Sequence, residues 1–375
     1  MPLVVVRLPP PEAADAIRRS WDMGRGVLVL DPRAPRAEIE RITARLDPDG
    51  EVAPDVAAVV VTSGTAGEPK GVELTFGGLQ ASARAVSDTL GVRPGAGGTD
   101  DRWLCCLPLH HVAGLGVLAR SWTVGTPVEI LPRFDVDAVA EASKRTTLVS
   151  LVPVMVRRLL AAGVDLGRFR RVLIGGGPVA ADLPGIPTYG LTETWGGVVH
   201  AGHPLEGVEV TLGHDDEILV RGMVVMRGYR SPTGAADTAA AFTSHGWLRT
   251  GDAGAFDAEG RLRVVDRLRD LVKSGGVSVA PTEVEAVLAT HPGVADVAVA
   301  GAPDPEWGQR VVAYMVPADP SAPPAVADLR AFAQDRLSAA KLPREVVVVD
   351  AIPRTTGGKP IRRLLTSTPR PPGSS

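Results

Sequence analysis

The sequence has 375 residues, 45% of them apolar and 22% charged, with a formal net charge of −3. That length can bury a sizeable core and suggests about two domains, and the near-neutral balance supplies no overall drive towards nucleic acid. The two cysteines, Cys105 and Cys106, are adjacent in an apolar run, which argues against a disulfide framework or a cysteine zinc site and fits a reducing cytoplasm.

Residues 1–11 hold a short valine run but no long apolar segment followed by a cleavage-like site. No apolar stretch has the length of a membrane span. The expectation is a cytoplasmic protein with no membrane span and no nucleic-acid partner. Ala13 to Ser20 reads as a short helix, Gly26 to Leu30 as a strand, and Pro35 to Leu46 as a second amphipathic helix.

Ala57 to Val61 is β-branched and apolar, the pattern of a buried strand. It empties into Thr62-Ser63-Gly64-Thr65-Ala66-Gly67-Glu68-Pro69-Lys70-Gly71. Glycines let backbone N–H groups approach an anion, hydroxyls donate further bonds and the lysine adds positive charge, so the loop suits polyphosphate. A Walker A loop closes with Gly-Lys-Ser/Thr on a helix. Here Pro69 disfavours a helix running straight out, and the first helical pattern starts at Thr75, a plausible N-cap, and runs to about Leu90.

The 62–71 wording closely resembles the phosphate loop of the acyl-adenylate-forming (AMP-binding) superfamily, which includes acyl-CoA synthetases, luciferases and peptide-synthetase adenylation domains. The second loop threonine usual in that family is Ala66 here. The resemblance implies an α/β fold: a large N-terminal domain of mixed sheets and helices over residues 1–266, and a small mobile α+β C-terminal domain over 267–365. Residues 366–375 have the composition of a disordered tail. Members usually carry a longer segment before the phosphate loop, so a shortened version of the fold is expected.

After a glycine-rich connector, Trp103 to Leu109 reads as a strand leading to His110-His111-Val112, with a helix expected after Gly114. Adjacent histidines point in different directions and are poorly placed to chelate a metal together. The family counterpart of His111 lines the acyl pocket and the thiol's path. Arg120 has two readings, a solvated helix face or a carboxylate clamp; ligases acting on 2-succinylbenzoate carry an arginine at this offset. Thr147 to Val152, Pro153 to Ala162 and Arg170 to Ile174 read as strand, helix and strand. Gly175, Gly176 and Gly177 follow and resemble the loop flanking adenine and the acyl carboxylate.

Thr188-Tyr189-Gly190-Leu191-Thr192-Glu193 matches a motif specific to the superfamily. The resemblance assigns Tyr189 to adenine stacking, Thr192 to the α-phosphate and Glu193 to Mg²⁺, with Gly190 beside the acyl group, consistent with aromatic and carboxylate chemistry. Val208 to Leu212, Glu217 to Arg221 and Met223 to Met226 look like short strands. Asp252 reads as lying in a glycine turn, and the resemblance makes it the ribose acceptor, since its family counterpart accepts from both ribose hydroxyls, as an ionised carboxylate can. Arg267 is its expected ribose neighbour, and Arg269 falls on the family's hinge position.

Lys273, Ser274, Gly275 and Gly276 resemble the loop that lines the thiol tunnel. Pro281 opens a helix with Glu283 and Glu285 in its first turns. Val297 to Ala300, Val311 to Val316 and a helix from Val326 to Leu337 complete the second domain. Lys359, in a terminal glycine-lysine motif, is the expected catalytic lysine. Together with His111, Thr192 and Glu193 it forms the expected catalytic set, with ATP, Mg²⁺ and CoA as cofactors and co-substrates.

The implied chemistry is an acid–thiol ligase in two half-reactions: adenylation of a carboxylate by ATP, then transfer of the acyl group to CoA. Within the family the small domain rotates between them. The acid expected is 2-succinylbenzoate, which would place the chain in menaquinone biosynthesis, and a homodimer is the assembly considered. Three alternatives stay open: another aryl- or acyl-CoA ligase, a stand-alone adenylation enzyme loading a carrier protein, or a catalytically silent nucleotide-binding regulator.

Overall fold

The computed structural model describes residues 1–63, 68–93, 100–180, 182–354 and 360–366. The chain divides into two compact units. One comprises Met1–Thr211, Leu219–Thr250 and Asp257–Leu262, the other Leu212–Ile218, Gly251–Phe256 and Arg263–Ser375.

In the first unit, the valine-rich strands Val4–Val6 and Val27–Val29 lie parallel to each other and to Val56–Ser63. Val56–Ser63 pairs antiparallel with Pro69–Thr75, with Ser63 opposite Pro69 and Thr62 opposite Lys70. The chain therefore leaves the 62–71 segment by turning back as a strand. Proline tolerates the first position of a strand, where Pro69 sits. Only then does a helix begin, Phe76–Thr89, and the Thr75 hydroxyl caps it by accepting from Gly78 N at 3.0 Å. Gly228–Arg230 completes this five-stranded sheet on the other side of Pro69–Thr75.

A seven-stranded sheet forms another large part of that unit. Its order is His203–Pro204, Gly196–His200, Ile186–Leu191, Arg171–Ile174, Leu148–Leu151, Trp103–Cys105 and Val128–Ile130. The strands from Ile186–Leu191 to Val128–Ile130 are mutually parallel. The inner three, Arg171–Ile174, Leu148–Leu151 and Trp103–Cys105, are largely buried, which matches their apolar runs. One face packs a core containing Leu104, Val149, Leu151, Val156, Leu159 and Ile174. Pro153, at the first position of the Pro153–Ala161 helix, starts that segment where its missing N–H costs nothing.

The helix Val112–Val124 is enclosed rather than amphipathic. Every residue from Gly114 to Ser121 is buried, and Gly125 closes it in the left-handed region, φ 80°. Residues 208–267 supply four further strands: Val208–Leu212, Glu217–Gly222, Leu248–Phe256 and Leu262–Arg267.

The second unit is built on Val294–Asp304 and Gly308–Pro317, a long antiparallel pair flanked by the Val272–Ser274/Val277–Val279 hairpin and by Glu345–Val348. The Pro281–Leu288 and Val326–Ala333 helices contribute Val284, Leu288, Leu329 and Ala333 to its core.

Four expectations need correction. Residues 223–226 form a turn, not a strand: Gly222 adopts φ 143° and Val225 N donates back to Gly222 O. The strand at Trp103 ends at Cys105; Pro108 has no N–H to continue a ladder. The helix carrying Arg120 begins at Val112, before Gly114. The helix from Val326 stops at Ala333 and passes into turns that reach Leu337.

Candidate active site

In the first unit, Lys70 extends from Pro69–Thr75 to within 3.0 Å of Asp237, on the Gly234–Ala241 helix. The same ammonium lies over the Tyr229 ring, 5.3 Å from its centroid, a cation–π distance. Tyr229 is placed by the register that sets it opposite Val72, and its hydroxyl donates to Glu193 Oε1 at 2.8 Å. A cation, a phenol and a carboxylate are thus brought into one chain of contacts from three separate segments. Glu193 sits in a one-turn 3-10 helix with Thr192, and its carbonyl accepts from Met226 N at 2.7 Å. A half-buried carboxylate oriented by a phenol is a hard oxygen donor, the kind Mg²⁺ takes. Thr62 donates to the Lys70 carbonyl at 3.4 Å. Gly64, Thr65, Gly67 and the Ser63 side chain lie outside the described residues.

Tyr189 and Gly190 are on Ile186–Leu191, which pairs with Gly196–His200. A Cβ at Gly190 would collide with the Gly196 carbonyl, so glycine permits the close approach of these backbones. Trp195 adopts φ 56°, rare for a bulky residue, and turns the chain from the 3-10 helix into Gly196–His200. Its indole donates to Thr75 O at 3.1 Å, which holds that turn against the cap of the Phe76–Thr89 helix.

Between these strands and the Val112–Val124 helix lies a pocket with about 670 Å³ of unfilled space, part of it open to solvent. Its walls include Gly175, Gly176, Gly190 and Arg120, four residues singled out in the sequence, and also Ser150 and His200. Gly177 continues the exposed turn after Gly176, which adopts φ 80°. His111 is the exposed N-cap of the helix, its ring tilted against His110 with centroids 4.4 Å apart, and the pocket wall begins at the next residue, Val112.

Arg120 is the electrostatic centre of the pocket. It is 8% exposed, so the solvated-face reading fails. Its guanidinium lies 4.5 Å from the Trp103 ring centroid and donates to Ser150 Oγ at 3.1 Å, while its Nε is buried without a partner. No carboxylate pairs with it among the described residues. Burial pushes its pKa down to about 10, which leaves it a cation at neutral pH. An unpaired buried charge costs several kcal/mol. The ring contact returns about 0.5–2 kcal/mol and a charged hydrogen bond about 1.5–3 kcal/mol. An anion entering the pocket would supply the missing compensation.

The second unit holds the other group of residues. Asp252 is 5% exposed and accepts from Arg267 Nε at 2.8 Å. Asp252 lies within the Leu248–Phe256 strand rather than in the expected glycine turn, and Gly251, at φ 69°, directs its N–H to Glu217 Oε1 at 3.0 Å. Arg269 is mostly exposed, 3.8 Å from Asp270. Gly275 and Gly276, at φ 58° and 78°, make the two-residue turn between Val272–Ser274 and Val277–Val279. Lys273 Nζ donates to Ser278 Oγ at 2.8 Å, and Ser274 is fully buried. Lys359 lies outside the described residues. Its flanks are fixed: Arg354 pairs with Pro360 across a bridge and donates to Asp296 at 2.6 Å. Beyond it, Arg362 donates to Glu285 at 2.7 Å and approaches Asp270 at 3.6 Å.

Sequence reasoning missed Ser150, His200, Tyr229 and Asp237 as site residues. All four reach the site through strand pairing or helix docking, which no local motif records. A signal for Arg120's burial was present: in Val112–Val124 Arg120 is the single charged residue and Val112 to Ala119 is uninterruptedly apolar or glycine, the pattern of a buried helix.

The AMP-binding enzyme family profile matches residues 3–230, and the AMP-binding enzyme C-terminal domain profile matches residues 283–359. The chain is 40% identical over 332 residues, 83% of its own length and 84% of the relative's, to the probable 2-succinylbenzoate–CoA ligase of Mycobacterium tuberculosis. It is similar to o-succinylbenzoate CoA synthetase of Bacillus subtilis solved with its acyl-adenylate intermediate, with a TM-score of 0.78 and 33% identity over 95% of this chain and 81% of that one. The same enzyme solved with ATP and magnesium ion superposes with a TM-score of 0.82 at 29% identity, covering 97% of this chain and 88% of that one. By the two matched profiles, the long alignment and the shared fold, the chain belongs to the AMP-binding enzyme family.

Proposed function

We propose that the chain is an ATP-dependent acid–CoA ligase that forms 2-succinylbenzoyl-CoA through an acyl-adenylate. The observation that carries the substrate is Arg120: a buried cation with no carboxylate partner among the described residues, in a pocket bounded by the Gly175–Gly176 turn and Gly190. A monoacid leaves that charge uncompensated once its only carboxylate is used in the reaction. A diacid can place one carboxylate against Arg120 and present the other for activation. The Mycobacterium tuberculosis relative is named a probable 2-succinylbenzoate–CoA ligase and the Bacillus subtilis enzyme an o-succinylbenzoate CoA synthetase, and that acid has two carboxylates.

In the first half-reaction the free carboxylate attacks the α-phosphorus of ATP and pyrophosphate leaves. Two anions must meet, so positive charge has to be held in place beforehand. Lys70 and Thr192, with the 62–70 segment, are proposed to hold the phosphates, and Lys359 to act at the transferring group. Glu193 would hold Mg²⁺, which neutralises phosphate charge when bound. The Tyr229 hydroxyl on Glu193 Oε1 fixes the orientation of that carboxylate. Tyr189 is proposed to stack on adenine, and Asp252, oriented by Arg267, to accept the ribose hydroxyls.

In the second half-reaction the CoA thiol attacks the mixed anhydride and AMP leaves. A free thiol with pKa about 8.5 supplies enough thiolate near neutrality without a strong base. Residues 1–266 are proposed to bind nucleotide and acid, and 267–365 to alternate between presenting Lys359 and the 273–276 turn about Arg269. A cytoplasmic location is proposed on the same reading.

The test is AMP release with ATP, Mg²⁺ and CoA, comparing 2-succinylbenzoate with benzoate and medium-chain fatty acids. Strong preference for 2-succinylbenzoate is expected. Equal or better turnover of a monoacid removes the substrate assignment and leaves the ligase chemistry. No turnover of any acid, with ATP bound, favours the carrier-protein-loading enzyme or the regulator.

A further inference from the structure

His200 ends the Gly196–His200 strand and lines the same pocket as Arg120. It is 4% exposed, and its Nδ1 is buried without a hydrogen-bond partner. A buried polar atom left unpaired costs about 1–3 kcal/mol, so an unsatisfied imidazole nitrogen in a binding pocket calls for an explanation. Packing does not demand a histidine here: Val198 and Val199 on the same strand are ordinary buried residues. On the other side of the ring, a Cβ at Gly197 would stand 3.3 Å from Nε2, so glycine at that lining position leaves the ring edge uncrowded.

The charge state fits a hydrogen-bonding role rather than an ionic one. Burial, reinforced by the positive Arg120, holds His200 down to about 4, so the ring is neutral at physiological pH. A neutral imidazole offers one N–H and one acceptor nitrogen. Beside a guanidinium it adds a donor without adding a second charge that would repel Arg120.

We propose that His200 is a specificity-determining residue that, with Arg120 and Ser150, binds the substrate carboxylate that is not activated. The inference rests on the diacid reading above and deepens it. Arg120 supplies the charge, already oriented by Trp103 and Ser150. His200 supplies a neutral donor on another wall, so that the carboxylate is recognised by direction as well as by sign. A site built to bond a polar group discriminates strongly against analogues that lack it, because its own groups are then left unpaired.

The test compares 2-succinylbenzoate with 4-oxo-4-phenylbutanoate, the same acid without the ring carboxylate, using pyrophosphate release as readout. The quantity measured is the ratio of kcat/KM values for the two acids, in the wild type, His200→Phe and His200→Gln. His200→Phe keeps an aromatic volume and removes both nitrogens; its ratio is expected to fall by about 10-fold or more. His200→Gln restores a donor and is expected to recover part of that loss. Thermal melting and the KM for ATP establish that each variant is folded.

A ratio unchanged in folded His200→Phe overturns the inference. Equal loss on both acids also overturns it, because a purely structural role would act on both alike. If the wild type itself shows no preference for the diacid, the substrate reading fails and the inference falls with it, an outcome separable from failure of His200 alone.

Discussion

Arg120 shows how a single residue separates stability from function. Its charge is buried on an enclosed helix, and burial holds its pKa below the ordinary arginine value but at about 10. The penalty is therefore present in full at neutral pH and fades only as pH rises through that value. Exchanging a buried charge for an apolar side chain of similar volume is often neutral or stabilising by about 1–4 kcal/mol. Arg120→Met is thus expected to keep or raise the melting temperature while lowering kcat/KM for the diacid by about 100-fold or more. A scan of melting temperature beside acid and ATP kinetics checks this, and equal losses for acid and ATP would make Arg120 structural. The cysteines lie at the opposite extreme. Burial pushes Cys105 and Cys106 up to about 11 and 12, so both are inert thiols in the core.

At the scale of elements, local chemistry placed some boundaries and missed others. Thr75 was legible as an N-cap because a hydroxyl before a helical pattern satisfies an otherwise orphaned N–H. Thr75→Ala is expected to cost about 1 kcal/mol, read as a lower urea midpoint. A midpoint unchanged from the wild type would show that Gly78 N finds another acceptor. The strand Pro69–Thr75 was not legible: its sequence carries a proline and a glycine, both weak strand formers. It becomes a strand because Val56–Ser63 on one side and Gly228–Arg230 on the other satisfy its backbone. The turn at residues 223–226 is the converse case. Val224 and Met226 are buried, but Gly222 and a backbone bond to Glu193 shape them as a loop.

On the scale of the molecule, the proposed reaction asks one chain to perform two chemically different steps. Lys359→Ala is expected to abolish pyrophosphate release while leaving thiol transfer from a supplied acyl-adenylate within a few-fold of the wild type. Equal loss of both half-reactions would defeat the lysine's assigned role. Each unit has its own core, the Leu104–Ile174 cluster in one and the Val272–Leu342 cluster in the other. Each also has its own partly buried ion pair, Arg170–Asp101 in one and Arg362–Glu285 in the other. Of the described residues, no helix is long and apolar enough to cross a membrane.

The sequence by itself determined the family and its chemistry, because phosphate binding depends on short contiguous motifs whose glycines, hydroxyls and lysine act from neighbouring positions. Apolar runs such as Ala57 to Val61 and Thr147 to Val152 also marked individual strands, though not how they pair. Tertiary structure alone decided that Arg120 is buried against Trp103 and Ser150. It likewise decided that Tyr229 orients Glu193 and that His200 shares the Arg120 pocket. These partners lie 17 to 80 residues apart in sequence. Their meeting is set by strand register and helix docking, which depend on the whole buried surface rather than on any local pattern.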